Sequence, residues 1–255
     1  MSERTSYQSG EPNWVDLGTT DIQAATKFYS DLFGWEVRSQ GEEFGNYGIA
    51  FLRDKPVAGI GPIVPGSGDA PTWSTYLATA DLDATMAAAA AAGGTVTMPA
   101  TASGEFGRRG FVQDPTGANV GFWEAKQHLG AQLVNEPAAP RWSELATSDA
   151  DAADKFYGAV FGYEFEKADG LPDPNYTMLK VGGETVAGRY QIPAGQAGPS
   201  RWLCYFTVAD VDATVAKVTA TGGALVAGPV DSSYGRFVTC ADPSGAAFGI
   251  VTQAG

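Results

Sequence analysis

Short alternating strands and amphipathic helices follow one another along the chain, and the same order comes round twice. Trp14-Val15-Asp16-Leu17 alternates as a half-buried strand does, and Ile22, Ala25, Phe28, Tyr29, Leu32 and Phe33 then recur at helical spacing. Thr20 with Gln23 gives a capping-box pattern before that helix, and Gly34 stands where a C-cap glycine belongs. Residues 73–94 repeat the plan with an aromatic strand, Asp81, an alanine-rich helix and Gly93-Gly94. Tyr47 to Leu52 and Val57 to Val64 read as further strands. Asp114-Pro115-Thr116-Gly117 and Asp242-Pro243-Ser244-Gly245 fit type I turns. Each quarter of the chain therefore predicts a βαβββ unit, and the fold class is α+β.

The repeat sets the domain organisation. Trp14-Val15-Asp16-Leu17 returns as Trp142-Ser143-Glu144-Leu145, Lys27-Phe28-Tyr29 as Lys155-Phe156-Tyr157, and Phe33-Gly34-Trp35 as Phe161-Gly162-Tyr163. Asn46-Tyr47, Trp73 and Asp81 match Asn175-Tyr176, Trp202 and Asp210 in the same order. So many ordered matches establish a duplication. The expected layout is a flexible tail over 1–11, a module over 12–124, a linker over 125–140 and a second module over 141–255. Glu136-Pro137-Ala138-Ala139-Pro140 marks the linker, which also holds His128, read as a surface residue.

Paired βαβββ units with these landmarks resemble the vicinal oxygen chelate superfamily, which includes glyoxalases, bleomycin-resistance proteins and dioxygenases. The likeness covers nearly the whole chain and is greatest to a tandem, glyoxalase-like subgroup associated with antibiotic biosynthesis. It implies sheets curved around a cleft that holds a metal or a ligand. The positions where the family's metalloenzymes carry ligands are Trp14, Ser74, Trp142, Leu203, Gly121 and Gly249 here, none of them a usable ligand for zinc, iron or manganese. No metal and no cofactor are therefore expected.

Strand alternation sends Val15 and Leu17 toward the helix and leaves Trp14 and Asp16 in one cleft, with Trp142 and Glu144 in the other. Ser74 with Tyr76, and Leu203 with Tyr205, take the equivalent places. Asp16 and Glu144, with Tyr76 and Tyr205, admit two readings. They are acid–base groups with desolvated carboxylates, or hydrogen bonds that close the sheet. Trp14, Trp73, Trp142 and Trp202 are candidate ligand walls or core. Phe106-Gly107-Arg108 and Tyr234-Gly235-Arg236 are candidate rims, with Phe106, Arg108, Tyr234 and Arg236 as contacts, or else surface charge.

Composition trims the options. A net charge of −13 opposes nucleic-acid binding, which needs clustered Lys and Arg. No apolar run is long enough to span a bilayer, and the polar N-terminus lacks a signal core, so no membrane partner and a cytoplasmic location are expected. Cys204 and Cys240 give no disulfide framework. The expected function is metal-independent binding of a small, largely apolar aromatic molecule by a monomer or homodimer. The alternative is a cofactorless isomerase, lyase or hydroxylase-like enzyme that uses Asp16 or Glu144.

Overall fold

The computed structural model describes residues 2–253 apart from Pro172, Pro174 and Ala197. Met1 of the expected tail and Ala254-Gly255 of the second module lie outside them. The first module builds β1 (Pro12–Thr19), α1 (Ile22–Phe33), β2 (Glu36–Ser39), β3 (Gly48–Leu52) and β4 (Lys55–Pro62). It continues with β5 (Thr72–Ala78), α2 (Leu82–Ala91), β6 (Thr95–Ser103), β7 (Gly107–Gln113) and β8 (Asn119–Ala125). The second module opens with β9 (Pro140–Thr147), α3 (Ala150–Phe161), β10 (Glu164–Lys167), β11 (Thr177–Val181) and β12 (Glu184–Gln191). It closes with β13 (Arg201–Thr207), α4 (Val211–Ala220), β14 (Ala224–Ser232), β15 (Gly235–Ala241) and β16 (Ala247–Val251). The fold is α+β, with four βαβββ units in two modules.

Each module is one eight-stranded sheet, ordered β2-β3-β4-β1-β5-β8-β7-β6 and β10-β11-β12-β9-β13-β16-β15-β14. In the first, β1 and β5 run antiparallel at the centre, and each has a parallel outer neighbour, β4 and β8. Among the described residues each of the four α-helices is N-capped by an aspartate. Asp21, Asp81, Asp149 and Asp210 each accept from the amide three residues on, at 2.9–3.0 Å. The expected Thr20–Gln23 capping box does not form, because Asp21 takes the N-cap and its carboxylate also complements the helix dipole. Gly34 closes α1 at φ 73°, in the left-handed conformation that glycine adopts without strain.

Neither sheet has a helical core of its own. Phe28, Tyr29 and Phe33 of α1 are buried in one cluster with Phe206 of β13, Val211 and Val218 of α4, and Phe248 of β16. Leu82, Met86 and Ala89 of α2 share a second cluster with Ala153, Phe156 and Tyr157 of α3 and with Trp202. The first unit thus packs on the fourth, and the second on the third. Cys204 and Cys240 are free and buried in the first of these clusters.

A reciprocal pair of hydrogen-bond chains crosses the joint. Trp73 Nε1 donates to Tyr29 Oη at 2.9 Å, and Tyr29 donates to Asp242 Oδ2 at 3.1 Å. Trp202 Nε1 donates to Tyr157 Oη at 2.8 Å, and Tyr157 donates to Asp114 Oδ2 at 3.0 Å. The other oxygen of each aspartate holds its own Asp-Pro turn, accepting from the Thr116 and Ala118 amides or from those of Ser244 and Ala246. Burial, reinforced by the facing aspartate, pushes both phenols well above the ordinary tyrosine range, so they remain donors.

Two expectations about the flanking segments need correction. The N-terminal tail is tied down. Arg4 makes a two-pronged bond to Glu11, Tyr7 Oη donates to Ala131 O at 2.6 Å, and Tyr163 Oη donates to Gly10 O at 2.5 Å. The linker is packed as well, with Ala131, Leu133 and Ala139 buried and Trp35 Nε1 donating to Ala138 O at 2.7 Å. The linker's Leu133 and Ala139 enter the shared core, whereas the tail is held by the hydrogen bonds of Arg4, Tyr7 and Gly10. Among the described residues no helix is long and apolar enough to cross a membrane.

Shared cores predict one cooperative unfolding transition for the whole chain. Tyr29→Phe and Tyr157→Phe should each cost about 1–3 kcal/mol, since each leaves a buried aspartate oxygen short of a partner. Chemical denaturation followed by fluorescence and circular dichroism measures both, and two separate transitions would contradict the shared core.

Candidate functional site

On the face of each sheet that points away from the helices, where the family resemblance implies a cleft, aromatic side chains cluster around one carboxylate. In the first, Asp16 is buried, and its Oδ2 accepts from Tyr76 Oη at 3.0 Å and from Tyr47 Oη at 3.2 Å. Trp14 Nε1 donates to the Tyr47 hydroxyl at 2.9 Å. In the second, Trp142 Nε1 donates to Tyr176 Oη at 2.8 Å, and Tyr205 Oη donates to Glu144 Oε1 at 3.3 Å. Trp14, Asp16 and Tyr76, and Trp142, Glu144 and Tyr205, therefore stand together as the alternation predicts.

Mid-strand glycines make this possible. A Cβ at Gly59 or Gly61 of β4 would run into the Tyr47 ring, and one at Gly121 of β8 into the Tyr76 ring. Gly188 and Gly249 clear the same space for Tyr176 and Tyr205. The glycines at the ligand positions that the family resemblance implies are thus filled by tyrosine rings from neighbouring strands. Tyr47 and Tyr176 precede β3 and β11, and their recurrence after Asn46 and Asn175 together with the glycines was the signal for them in the sequence.

Electrostatics follow from burial. Desolvation pushes the Asp16 carboxyl up, against the opposing pull of Arg109 and the Tyr76 and Tyr47 hydrogen bonds. Glu144 is likewise raised by burial, against Tyr176, Tyr205 and Arg201. Tyr47, Tyr76, Tyr176 and Tyr205 are all driven well above the ordinary tyrosine range, first by burial and then by the neighbouring carboxylate. They are donors at any physiological pH.

Several predicted contacts lie elsewhere. Trp73 and Trp202 point to the helical side, where their indoles serve the intermodule chains. Arg108 turns to the same side and pairs with Asp83 and Glu124, and Arg236 pairs with Asp231 and Asp212. Tyr234 is 43% exposed, at the turn between β14 and β15. Phe106 does reach the rim of the first cleft, edge-on to Phe44 at 5.6 Å between ring centres. Parity explains the arginines. One step along β7, Arg109 shares the cleft face with Phe111, which meets Tyr76 edge-on at 5.2 Å.

His128 was expected at the surface and is not there. The linker crosses one end of the first cleft and sets the imidazole edge-on to Trp14 at 4.4 Å and near Trp123 at 5.7 Å. The Trp123 indole donates to His128 O at 2.8 Å, and the Ala131 amide to Asn13 O at 2.8 Å, so the linker is stitched to the sheet. Burial lowers the His128 pKa to about 4.

The residues facing the clefts do not fit a divalent metal. Each floor offers one carboxylate, two phenols and an indole, and no group of three or more His, Cys, Asp or Glu that could hold an ion occurs among the described residues.

His128 also makes a testable contribution to stability. Its pKa of about 4 lies below the 6.5 of a free imidazole, so between these values the unfolded chain binds the proton and the fold does not. Stability that is fully present above pH 6.5 should fall by about 3 kcal/mol as the pH drops to 4. Asp16 and Glu144 act in the opposite sense, since their raised pKa values make the fold bind protons first as the pH drops. Urea denaturation of the native protein and of His128→Phe between pH 7 and 4 should show the loss in the native protein and a much flatter profile in the variant.

Comparison with known proteins agrees with this geometry. Residues 11–122 match the model of the glyoxalase/bleomycin resistance protein/dioxygenase superfamily, and residues 142–251 match that of the glyoxalase-like domain. The CFP32 protein of Mycobacterium tuberculosis, whose name marks it as a candidate glyoxylase, is 44% identical over 100% of this chain and 99% of its own. The anthracycline biosynthesis protein DnrV of Streptomyces peucetius is 32% identical over 97% of this chain and 94% of its own. In fold alone, the Mn(II)-bound glyoxalase of Novosphingobium aromaticivorans superposes with a TM-score of 0.65 at 16% identity, covering 100% of this chain and 84% of that one. The 2,3-dioxygenase LapB of Pseudomonas sp. KL28 gives 0.66 at 16% identity, covering 97% and 94%. With both modules matched and relatives similar from end to end, the chain belongs to the glyoxalase/bleomycin resistance protein/dioxygenase superfamily, as a tandem two-module member.

Proposed function

We propose that this protein binds a small, largely apolar aromatic molecule in an aromatic-walled cleft without a metal, and that sequestration or delivery of that molecule is its role. One observation carries the reading: the family's ligand positions hold no metal-binding side chain, and at Gly121 the space is taken by the Tyr76 ring, next to a buried carboxylate and an indole. Aromatic walls supply area and stacking worth about 0.5–1.5 kcal/mol per ring pair beyond burial. A few fixed donors then orient the guest, the usual composition of a small-molecule pocket. The similarity to a protein named for anthracycline biosynthesis supports a setting in secondary metabolism or antibiotic resistance.

A second reading rests on Asp16 itself. A buried carboxyl raised by desolvation and held by two phenols suits an acid–base group, and Tyr76 suits a proton donor to a developing oxyanion. In that case the protein is a cofactorless isomerase, lyase or hydroxylase-like enzyme.

Titration with a panel of polyaromatic compounds should quench tryptophan fluorescence, because Trp14 and Trp123 border the cleft; no response across the panel would sink the binding reading. Asp16→Asn separates the two readings. A binder should keep affinity within about threefold, whereas an enzyme should lose turnover by about a hundredfold or more while still binding.

A further inference from the structure

The two clefts share a floor and differ in one wall. Strand register sets Phe111 opposite Gly121 in the first cleft and Thr239 opposite Gly249 in the second. Two residues earlier on the same face, the first cleft has Arg109 opposite Trp123, and the second has Phe237 opposite Val251. His128 is the chain's one histidine, so the second cleft has no imidazole either. The repeat kept the floor and diverged at the polar wall.

Both groups peculiar to the first cleft have unmet hydrogen-bonding capacity. Arg109 Nε and His128 Nε2 are buried with no partner among the described residues. Arg108 beside it is paired with two carboxylates, while Arg109 has no ion pair within 4 Å among the described residues. Arg109 faces Asp16, Tyr76 and Tyr47. Of these only Asp16 can carry negative charge at neutral pH, and two phenols already donate to its Oδ2. A guanidinium stays charged under all ordinary conditions, and its flat fork of donors is shaped for oxygen anions. Tyr76 and the Asp16 carboxylate favour the Arg109 charge, and its buried Nε keeps a donor that an anionic acceptor from outside the chain can take.

We propose that the first cleft is the binding cleft, and that it takes its aromatic ligand by an ionised hydroxyl, a phenolate or enolate oxygen, seated against Arg109 with His128 as its second polar contact. This rests on the aromatic-ligand reading above and adds to it which cleft is used and what the ligand must carry.

The probes are 2-hydroxy-1,4-naphthoquinone, which is ionised at neutral pH, its 2-methoxy ether, and naphthalene. Calorimetric and fluorescence titration of the full chain should give one site per chain for the hydroxyquinone and about tenfold or more weaker binding of the ether. Arg109→Met should cut hydroxyquinone affinity by about tenfold or more, leave naphthalene binding little changed, and erase the preference over the ether, while Arg109→Lys should keep part of it. Equal affinity for the hydroxyquinone and its ether in the unaltered protein would overturn the proposal even if the variants fail to fold. Unchanged hydroxyquinone binding in folded Arg109→Met, or two equal sites per chain, would overturn it too while leaving the aromatic-ligand reading standing. Failure of all three compounds, naphthalene included, would instead strike the underlying reading.

Discussion

The fold depends on two tyrosine hydroxyls buried between the modules. Each must find an acceptor where there is no water, and each finds the aspartate of the other module's Asp-Pro turn while accepting from a tryptophan of its own. The helices lie on the inner faces of the two sheets, so the cores are filled by one unit from each module. The Tyr29–Asp242 and Tyr157–Asp114 bonds fix the register of that packing at two symmetry-related points. They also explain why Trp73, Trp202 and both Asp-Pro turns recur so faithfully in the repeat.

The same chemical chain is used on the outer face for a different purpose. Trp14 donates to Tyr47, and Tyr47 to Asp16, as Trp73 donates to Tyr29, and Tyr29 to Asp242. On the inner face the chain joins two modules and is sealed. On the outer face it lies within one module, where Trp14 and Tyr76 pack with Phe111, Trp123 and Ala131. Glycines in β4 and β8 give those rings their room, and the positions that the family's metalloenzymes use for ligands are spent on it.

Much of this was legible in the sequence. Ordered repeats and strand alternation place Trp14, Asp16 and Tyr76 together, and the turn and helix signals yield four βαβββ units. What escaped was decided by long-range packing. Trp73 and Trp202 look like cleft aromatics by type, but strand parity turns them inward to phenols in the helices. Arg108 and Arg236 stand at matched positions of the repeat, whereas the residue on the Asp16 face is Arg109, whose counterpart is Phe237. Matched positions in this duplication report what holds the fold, and mismatched ones report what distinguishes the clefts. His128 lay in a stretch with linker composition, and nothing local says that such a stretch will close the end of a cleft.

The residues at the family's ligand positions are Trp14, Ser74 and Gly121 in the first module and Trp142, Leu203 and Gly249 in the second, and the proposed binding needs no metal. The direct measurement is aromatic-ligand affinity in protein stripped with a chelator, set beside protein supplied with manganese, zinc or iron, with metal content determined on both. The proposed metal-independent binding predicts equal affinity in the two preparations and no stoichiometric ion. A bound ion at one per cleft, with affinity lost on chelation and restored by the metal, would contradict it.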